Sequence, residues 1–385
     1  MDFQLNEDQR AFAETAHQLF TDFCGDDALR AHDASDQPFM RALWEQCVAT
    51  GLHSILVPEA DGGLGLGMTE LMAVLEQQGR ALALVPLWEQ QLAAATLARF
   101  TPPALRQPVL EQALAGSPLA LSLSALSATG AATLRLRYSA TGWQLNGAAP
   151  AVALGQLASH ALLTAALEDD AEGGLRLVLV SLQQPGVRRV EGITQHHLGV
   201  ADLYFDCIEL SPEAVLAPAA VGWIEPRAIA CLAALQMGVT YQQLRRTVDY
   251  VSERKQFDRV IGSFQLVAGQ MADGHIALEA LRTSVWQLVY RLDAGLGAAP
   301  QAWATRALAN DAGHRVGHMA QHVHGGIGVD ISYPIHRFLY WSRALNAVLG
   351  GTEHQLARLG DWLADNDNLG WKYDFAEDTL HDTQL

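Results

Sequence analysis

The residues best suited to chemistry stand at the end of one long apolar stripe. Ile229, Leu232, Leu235 and Val239 recur at helical spacing, so the sequence predicts one amphipathic helix over Glu225–Gln265. It closes in Glu253-Arg254-Lys255-Gln256-Phe257, which Ile261-Gly262-Ser263-Phe264-Gln265 follows. An arginine beside such a turn can give charge-assisted hydrogen bonds to a phosphate group. Taken alone, the pattern also fits a plain helix that ends in a polar turn.

Two glycine-rich stretches are further candidates for ligand contact, because glycine lets the backbone approach a ligand closely. The segment from Val57 to Gly67 lacks the strand before it and the helix after it that a phosphate-cradling loop requires, so we interpret it as an interhelical loop. Gly325-Gly326-Ile327-Gly328 interrupts a helical pattern near the chain's end. The histidines at positions 196, 197, 322 and 324 show no metal-ligand spacing, and no metal site is expected.

Composition excludes several classes of function. The chain has 385 residues, 50% of them hydrophobic and 17% charged, with a formal charge of −17. It can bury large cores in two or three domains, and nucleic acid or anionic lipid are unexpected partners because both need a basic face. Four widely spaced cysteines, an acidic N-terminus and the lack of a long apolar run favour a cytoplasmic protein that is outside the membrane.

The predicted secondary structure changes twice along the chain, from helices to strands and back to helices. A capping box at Asn6 and Gln9 starts the first of several helices. From about Ser117, alternating and short apolar segments predict a small β domain, and helical periodicity returns after Pro218. The sequence therefore predicts a helical domain over residues 1–116, a β domain over 117–218, a helical bundle over 219–365 and a tail over 366–385 that contains Trp371, Tyr373 and Phe375.

The individual elements follow from the same patterns. Helices are predicted at Pro38–Thr50, Thr69–Arg80, Leu87–Phe100, Pro103–Ala115, Leu266–Ala294, Ala304–Val323 and Tyr333–Asp365. Strands are predicted at Leu134–Tyr138, Leu175–Val180 and Asp202–Leu210. Because there is no βαβ alternation and no internal repeat, the fold class is mostly α with a central β domain.

Three motifs, in order along the chain, resemble those of the acyl-CoA dehydrogenase family. They are the Pro58-Glu59 to Gly67 turn, Glu253-Arg254-Lys255-Gln256-Phe257 with Phe264-Gln265, and His324-Gly325-Gly326-Ile327-Gly328. The resemblance covers essentially the whole chain. It implies an N-terminal helical domain, a middle β-barrel or sandwich domain and a C-terminal four-helix bundle. It also implies FAD, an acyl-CoA thioester substrate and assembly into dimers or tetramers.

The family's reaction needs a carboxylate base that removes the proton α to the thioester carbonyl. Neither expected base position holds a carboxylate in this chain. Aligned on Leu349-Gly350-Gly351-Thr352, the family's usual glutamate is Gly350. Counted back without gaps from Arg254, the alternative base on the long helix is Ala228. Glu225 and Glu353 are each about three residues displaced, roughly 4.5 Å along a helix. Either is a relocated base or a solvated glutamate at a helix end.

The β domain also departs from the family's flavin-binding pattern. Ser122-Leu123-Ser124-Ala125-Leu126-Ser127 and Ala151-Val152-Ala153 stand where the family holds the flavin ring, although an Asn146-Gly147 turn is kept. The resemblance assigns the distal half of FAD to residues that a neighbouring subunit supplies. The matching positions are Arg254, Phe257, Gln265, Gly325 and Gly326, together with His322, and Thr352 is a further position assigned to cofactor binding. Two departures weaken that clamp, because Asp258 replaces a glycine and His322 replaces a glutamine.

The predicted function is therefore that of the small, catalytically degenerate subunit of a heteromeric acyl-CoA dehydrogenase. A homologous catalytic subunit would supply the base and the flavin cradle. FAD would be shared with that partner, the substrate would be an acyl-CoA, and an electron-transfer flavoprotein would accept electrons by family analogy. The alternatives are a homo-oligomeric flavoprotein of this fold with altered chemistry and a flavin-free structural or acyl-CoA-binding protein.

Overall fold

The structure is a computed structural model that describes residues 3–127, 133–139, 142–168 and 174–366. The predicted tail over 366–385, with its three aromatic residues, lies outside the described residues apart from Asn366. Within the described ranges, no helix combines the length and the apolarity that crossing a bilayer requires.

Six helices precede the sheet. They are α1 (Glu7–Phe23), α2 (Asp26–Asp33), α3 (Arg41–Ala49), α4 (Met68–Ala81), α5 (Leu87–Phe100) and α6 (Pro103–Leu114). The capping box at the start of α1 is confirmed, because the Gln9 amide donates to Asn6 Oδ1 at 2.8 Å and the Asn6 amide donates to Gln9 Oε1 at 3.0 Å. Helix α2, which the sequence analysis missed, buries only Leu29. The Val57–Gly67 segment is an interhelical loop with one short 3₁₀ turn.

Seven strands form one mixed sheet. They are β1 (Leu119–Ser122), β2 (Leu134–Ser139), β3 (Gly142–Ala153), β4 (His160–Leu167), β5 (Leu175–Ser181), β6 (Val187–Ile193) and β7 (Gly199–Leu210). Strand β4 pairs in parallel with both β1 and β2 and in antiparallel with β5, and β3, β7 and β6 continue the sheet beyond β2. Strands β1 and β2 thus follow one another along a single edge of β4.

The predicted Asn146-Gly147 turn is wrong, because both residues lie inside β3 at an irregularity in its pairing with β7. Gly147 has φ of +115°, and a Cβ atom there would lie 2.0 Å from the Thr133 carbonyl oxygen. Asn146 and Gly147 therefore lie at a β-bulge, where the backbone of β3 approaches that of Thr133 closely.

Up to residue 366, the described C-terminal part contains α7 (Ala219–Glu253), a hairpin of β8 (Lys255–Gln256) and β9 (Arg259–Val260), α8 (Gln265–Asp293), α9 (Ala299–His324), α10 (Ile335–Ala347) and α11 (Thr352–Asp365). The predicted helix over Glu225–Gln265 is wrong at both ends. Helix α7 starts six residues earlier and tolerates Pro226 inside it. It ends at Glu253 because Phe257 and Asp258, with φ of +55° and +63°, turn the chain into the hairpin.

The predicted helix over Tyr333–Asp365 is in fact two helices. Leu349 and Gly350 have φ of +60° and +80°, which an α-helix cannot contain, so α10 and α11 are separated by residues 348–351. The predicted fold class is nevertheless confirmed, since helices precede and follow a central sheet. How the chain divides into domains at 116/117 and 218/219 stays a prediction.

The N-terminal helices and the bundle share one hydrophobic core, and the sheet has a second one. Helices α4 and α7 cross at glycines: a Cβ atom on Gly79 would lie 2.2 Å from the Leu235 carbonyl oxygen, and one on Gly238 would lie 2.0 Å from that of Glu76. This contact fixes α7 against the N-terminal helices.

Candidate functional site

A cleft of about 810 Å³ lies where the N-terminal helices, the sheet and the bundle meet. Trp88 and Glu89 of α5 form one part of its wall, and Leu232 of α7 forms another. The other lining segments are 121–127 at the end of β1 and directly after it, 150–153 at the end of β3, 194–200 before and within β7, and 343–351 from the end of α10 to the loop before α11. The volume falls within the roughly 300–1,000 Å³ typical of small-molecule sites.

Of the two expected base positions, Gly350 lines this cleft and Ala228 does not. Gly350 belongs to the loop over residues 348–351, and a glycine cannot accept a proton through a side chain. Ala228 is fully buried one turn before Leu232 on α7. Thr352, assigned to cofactor binding by the resemblance, is half-buried at the first position of α11, directly after the cleft loop.

Neither proposed relocated base reaches the cleft. Glu225 forms a bidentate ion pair with Arg358 of α11, with Arg358 Nη2 3.0 Å from Glu225 Oε2. Glu353 is exposed in the first turn of α11. Glu225 is therefore a buried ion-pair partner inside α7, and only Glu353 is the solvated glutamate at a helix end that the sequence left open.

The loop that carries Gly350 is held from behind by a buried arginine. Arg306 Nη2 donates to the carbonyl oxygens of Leu345 and Val348, the latter at 2.6 Å, and Gln355 Nε2 donates to that of Leu349. Burial lowers the pKa of Arg306 to about 9. Sequence reasoning missed Arg306, because an arginine within a helical repeat is normally exposed and nothing in the pattern marks it as buried.

The remaining residues assigned to the cofactor are exposed at the opposite end of the bundle. Arg254 and Phe257 project with the β8–β9 hairpin, and Phe257 is 86% exposed. Gln265 starts α8, and His322, Gly325 and Gly326 stand at the end of α9. The rings of Tyr250 on α7 and His324 on α9 stack at 4.2 Å, so these segments meet at one place.

Two groups of predicted site residues are thus far apart within one chain. An α-helix rises about 1.5 Å per residue, so Arg254, at the end of α7, lies about 33 Å from Leu232 on the cleft wall. Thr352 belongs with the cleft, and Arg254, Phe257, Gln265, His322, Gly325 and Gly326 belong with the exposed end.

Of the four histidines considered in the sequence, only His196 lines the cleft. Its Nδ1 lies 2.9 Å from Thr194 Oγ1, and burial lowers its pKa to about 4, so it is uncharged at neutral pH. His324 is buried with Nδ1 2.8 Å from the Ala320 carbonyl oxygen. Among the described residues there is no group of three or more side chains placed to hold a metal ion.

Family models described as the acyl-CoA dehydrogenase N-terminal and C-terminal domains match residues 6–117 and 228–364. Acyl-CoA dehydrogenase FadE27 of Mycobacterium tuberculosis (strain ATCC 25618 / H37Rv) is 33% identical over 385 residues, which cover 95% of this chain and 99% of FadE27.

Two solved structures share the fold over nearly the full length. A variant of the Tcur3481–Tcur3483 steroid ACAD has a TM-score of 0.85 at 35% identity, covering 93% of this chain and 98% of that chain. The ChsE4–ChsE5 complex from Mycobacterium tuberculosis has a TM-score of 0.88 at 32% identity, covering 95% and 100%. On the two domain matches and the full-length relatives, the chain belongs to the acyl-CoA dehydrogenase family.

Proposed function

We propose that this chain is a subunit of a heteromeric FAD-dependent acyl-CoA dehydrogenase that introduces an α,β double bond into an acyl-CoA thioester. In this assembly the chain supplies part of an FAD site and leaves the catalytic base to a homologous partner. The observation that carries the proposal is the separation just described. The cofactor residues at the exposed end are not among the described residues that line the chain's own cleft, and Arg254 lies about 33 Å along α7 from Leu232 on its wall. This supports a role for Arg254 at the cleft of a neighbouring subunit.

The exposed end fits the phosphate-bearing half of FAD. Within the described part of the chain, Arg254 has no ion-pair partner, and its guanidinium is free to pair with phosphate oxygens. Gly325 and Gly326 have open space where a Cβ atom would be, so their backbone amides can be approached closely. Phe257 packs edge-on against Phe264 at 6.2 Å and leaves most of its ring exposed for a further contact.

In this proposal the residues of the chain hold FAD and do not remove the α-proton. Bound FAD supplies a hydride acceptor. Arg254 and the Gly325-Gly326 backbone would bind and orient its phosphates, against the opposing charge of Asp258 in the same hairpin. No residue of this chain is assigned the α-proton, because Gly350 has no side chain for it, and Glu225 and Glu353 point elsewhere.

The two structural neighbours support the choice of partner and substrate class by their names. One names a steroid enzyme and both name two-component proteins. We therefore extend the proposal to a paired homologous catalytic subunit and to a bulky acyl group of the steroid type. An electron-transfer flavoprotein as the electron acceptor stays a prediction from the family resemblance.

Expression of the chain alone and together with a homologous, base-bearing subunit tests the proposal. We expect the lone chain to be colourless or insoluble and the co-expressed complex to be yellow from bound FAD. Stoichiometric FAD in a stable homo-oligomer of this chain would instead support a homo-oligomeric flavoprotein with altered chemistry. A stable complex without any flavin would support a structural or acyl-CoA-binding role.

Substitution at the exposed end separates a clamp from a scaffold. In the complex, Arg254→Ala should lower FAD occupancy and turnover together. Arg245→Ala is the matched control, because Arg245 is an exposed arginine of α7 nine residues earlier and on the opposite face. If FAD occupancy is unchanged in both Arg254→Ala and Arg245→Ala, Arg254 does not bind FAD, and the chain has a scaffold role.

A further inference from the structure

Glu89 places a buried carboxyl group on the wall of the cleft. It lies in the first turn of α5, is 5% exposed, and lines the cleft beside Trp88. Its Oε2 atom has no hydrogen-bond partner in the described part of the chain. Burying a polar atom without a hydrogen-bond partner costs free energy. The unpaired Glu89 Oε2 therefore indicates that a ligand binds beside it.

The surroundings of Glu89 favour its uncharged form. Burial raises the pKa of Glu89 to about 8. Two residues of α7, Arg227 and Cys231, lie near Glu89. Burial and the charge of Glu89 raise the pKa of the Cys231 thiol, and the charge of Arg227 lowers it. His196, on the sheet side of the cleft, has a pKa lowered to about 4 by burial. Arg343, which is exposed, is the one cation among the described cleft residues.

The walls near these groups are mostly apolar. Trp88 offers an indole ring beside Glu89. The aliphatic lining residues are Leu121, Leu123, Leu198, Val200, Leu232, Leu345, Val348 and Leu349. At neutral pH Arg343 is therefore the charged side chain among the described cleft-lining residues, and Glu89 presents a protonated carboxyl group with a hydrogen to donate.

We propose that Glu89 and the apolar walls of this cleft bind an uncharged, largely apolar molecule whose carbonyl oxygen accepts a hydrogen bond from the Glu89 carboxyl group. This site is formed by the chain itself and is remote from the exposed FAD-binding end. The lining residues described here all belong to this chain. It gives a function to a cleft that has a glycine where the family has its base.

A matched pair of ligands tests the hydrogen bond. 2-Acetylnaphthalene and 2-ethylnaphthalene have the same ring and differ in one carbonyl group. Their dissociation constants are measured by equilibrium dialysis against whichever assembly of the full chain is purified, for the wild type, Glu89→Gln and Glu89→Leu. At pH 6.5 the ketone-to-hydrocarbon affinity ratio should be about tenfold higher in the wild type than in Glu89→Leu, as one hydrogen bond implies.

The pH dependence distinguishes donation by Glu89 from a general effect of shape. At pH 9.5, above the pKa of about 8, the wild-type ratio should fall to that of Glu89→Leu because the carboxylate can no longer donate. The Glu89→Gln ratio should not change with pH, since an amide donates at both values. Glu89→Gln is close in shape to the wild type, so it carries the test if Glu89→Leu does not fold.

Three outcomes of the binding measurements would overturn the proposal. They are no binding of either ligand, equal ratios in the wild type and Glu89→Leu, and a wild-type ratio that is the same at both pH values. Loss of dehydrogenation in Glu89→Gln with unchanged ratios would also overturn it, because Glu89 would then act as a base. Flavin absorbance of the same samples reports separately on the proposed function, so failure of either idea is recognised on its own.

Discussion

A Cβ atom added to Gly350 would lie 2.7 Å from Cδ2 of His354. The His354 ring fills the space beside the expected base position, and its Nε2 lies 3.0 Å from the carbonyl oxygen of Leu126. That bond joins the start of α11 to the segment between β1 and β2, on the sheet side of the cleft. The chain has thus built a cleft wall that is compatible with glycine at position 350 and crowded for any larger residue.

Restoring the base at this position should therefore fail. Gly350→Glu adds a side chain at φ of +80°, which favours glycine, and forces His354 to move. We expect no gain of dehydrogenation over the unsubstituted complex, measured as flavin reduction by an acyl-CoA, and a loss of roughly 1–3 kcal/mol in the free energy of unfolding. Turnover by a complex whose partner lacks its own base would contradict this prediction.

The Glu225–Arg358 pair should contribute to stability and not to proton removal. Arg358→Met leaves a buried carboxylate without its partner, and we expect a loss of about 2–3 kcal/mol in the free energy of unfolding by chemical denaturation. The double variant Glu225→Gln with Arg358→Met should recover much of that loss. Turnover of the complex should survive Glu225→Gln; its complete loss in that variant, with folding intact, would make Glu225 a relocated base.

The glycine crossing of α4 and α7 should be intolerant of a methyl group. Gly238→Ala would put Cβ 2.0 Å from the Glu76 carbonyl oxygen, and separating the two helices should cost about 2 kcal/mol or more. Gly360→Ala is the control, since Gly360 of α11 has open space at that position, and the substitution should stabilise the helix by up to about 1 kcal/mol. Equal melting temperatures for the two variants would show that the crossing tolerates the methyl group.

Local signals explain how much of the fold the sequence predicts. The bounds of α5, predicted at Leu87–Phe100, agree with the structure at both ends, and the capping box starts α1 as expected. Strand β4, His160–Leu167, was missed because its alanines and leucines have no strand-like alternation and six of its eight residues are buried. Its identity as a strand comes from pairing with β1, β2 and β5, which no local pattern contains.

In the candidate site, too, the sequence predicts the residues that belong to local motifs and misses those that depend on tertiary contacts. Motif spacing located Gly350 and the exposed end, because those positions are defined by neighbours in sequence. Arg306 and Glu89 were missed, since their importance comes from burial against distant elements. The cleft of about 810 Å³ at the place of the lost flavin-holding residues is likewise a product of the fold, which no local sequence pattern reports.

Glu89 should make the protein less stable as pH rises. Its pKa is raised by burial from 4.5 to about 8. Below about pH 4.5 both the folded and unfolded chains hold the proton, and above about pH 8 neither does. Between these values folding takes up a proton, so the free energy of unfolding should fall with increasing pH by up to about 1.4 kcal/mol per unit.

Glu89→Gln removes this proton uptake, and its effect should therefore change with pH. The difference in melting temperature between Glu89→Gln and the wild type should grow in favour of the variant from pH 5 to pH 8 and level off above that. Glu45→Gln, on the exposed side of α3, removes the same charge and is the control for the overall effect of charge. A difference that stays constant over this range for Glu89→Gln would mean that the carboxyl group is ionised in the folded protein, and the cleft would then hold a buried anion in place of a hydrogen-bond donor.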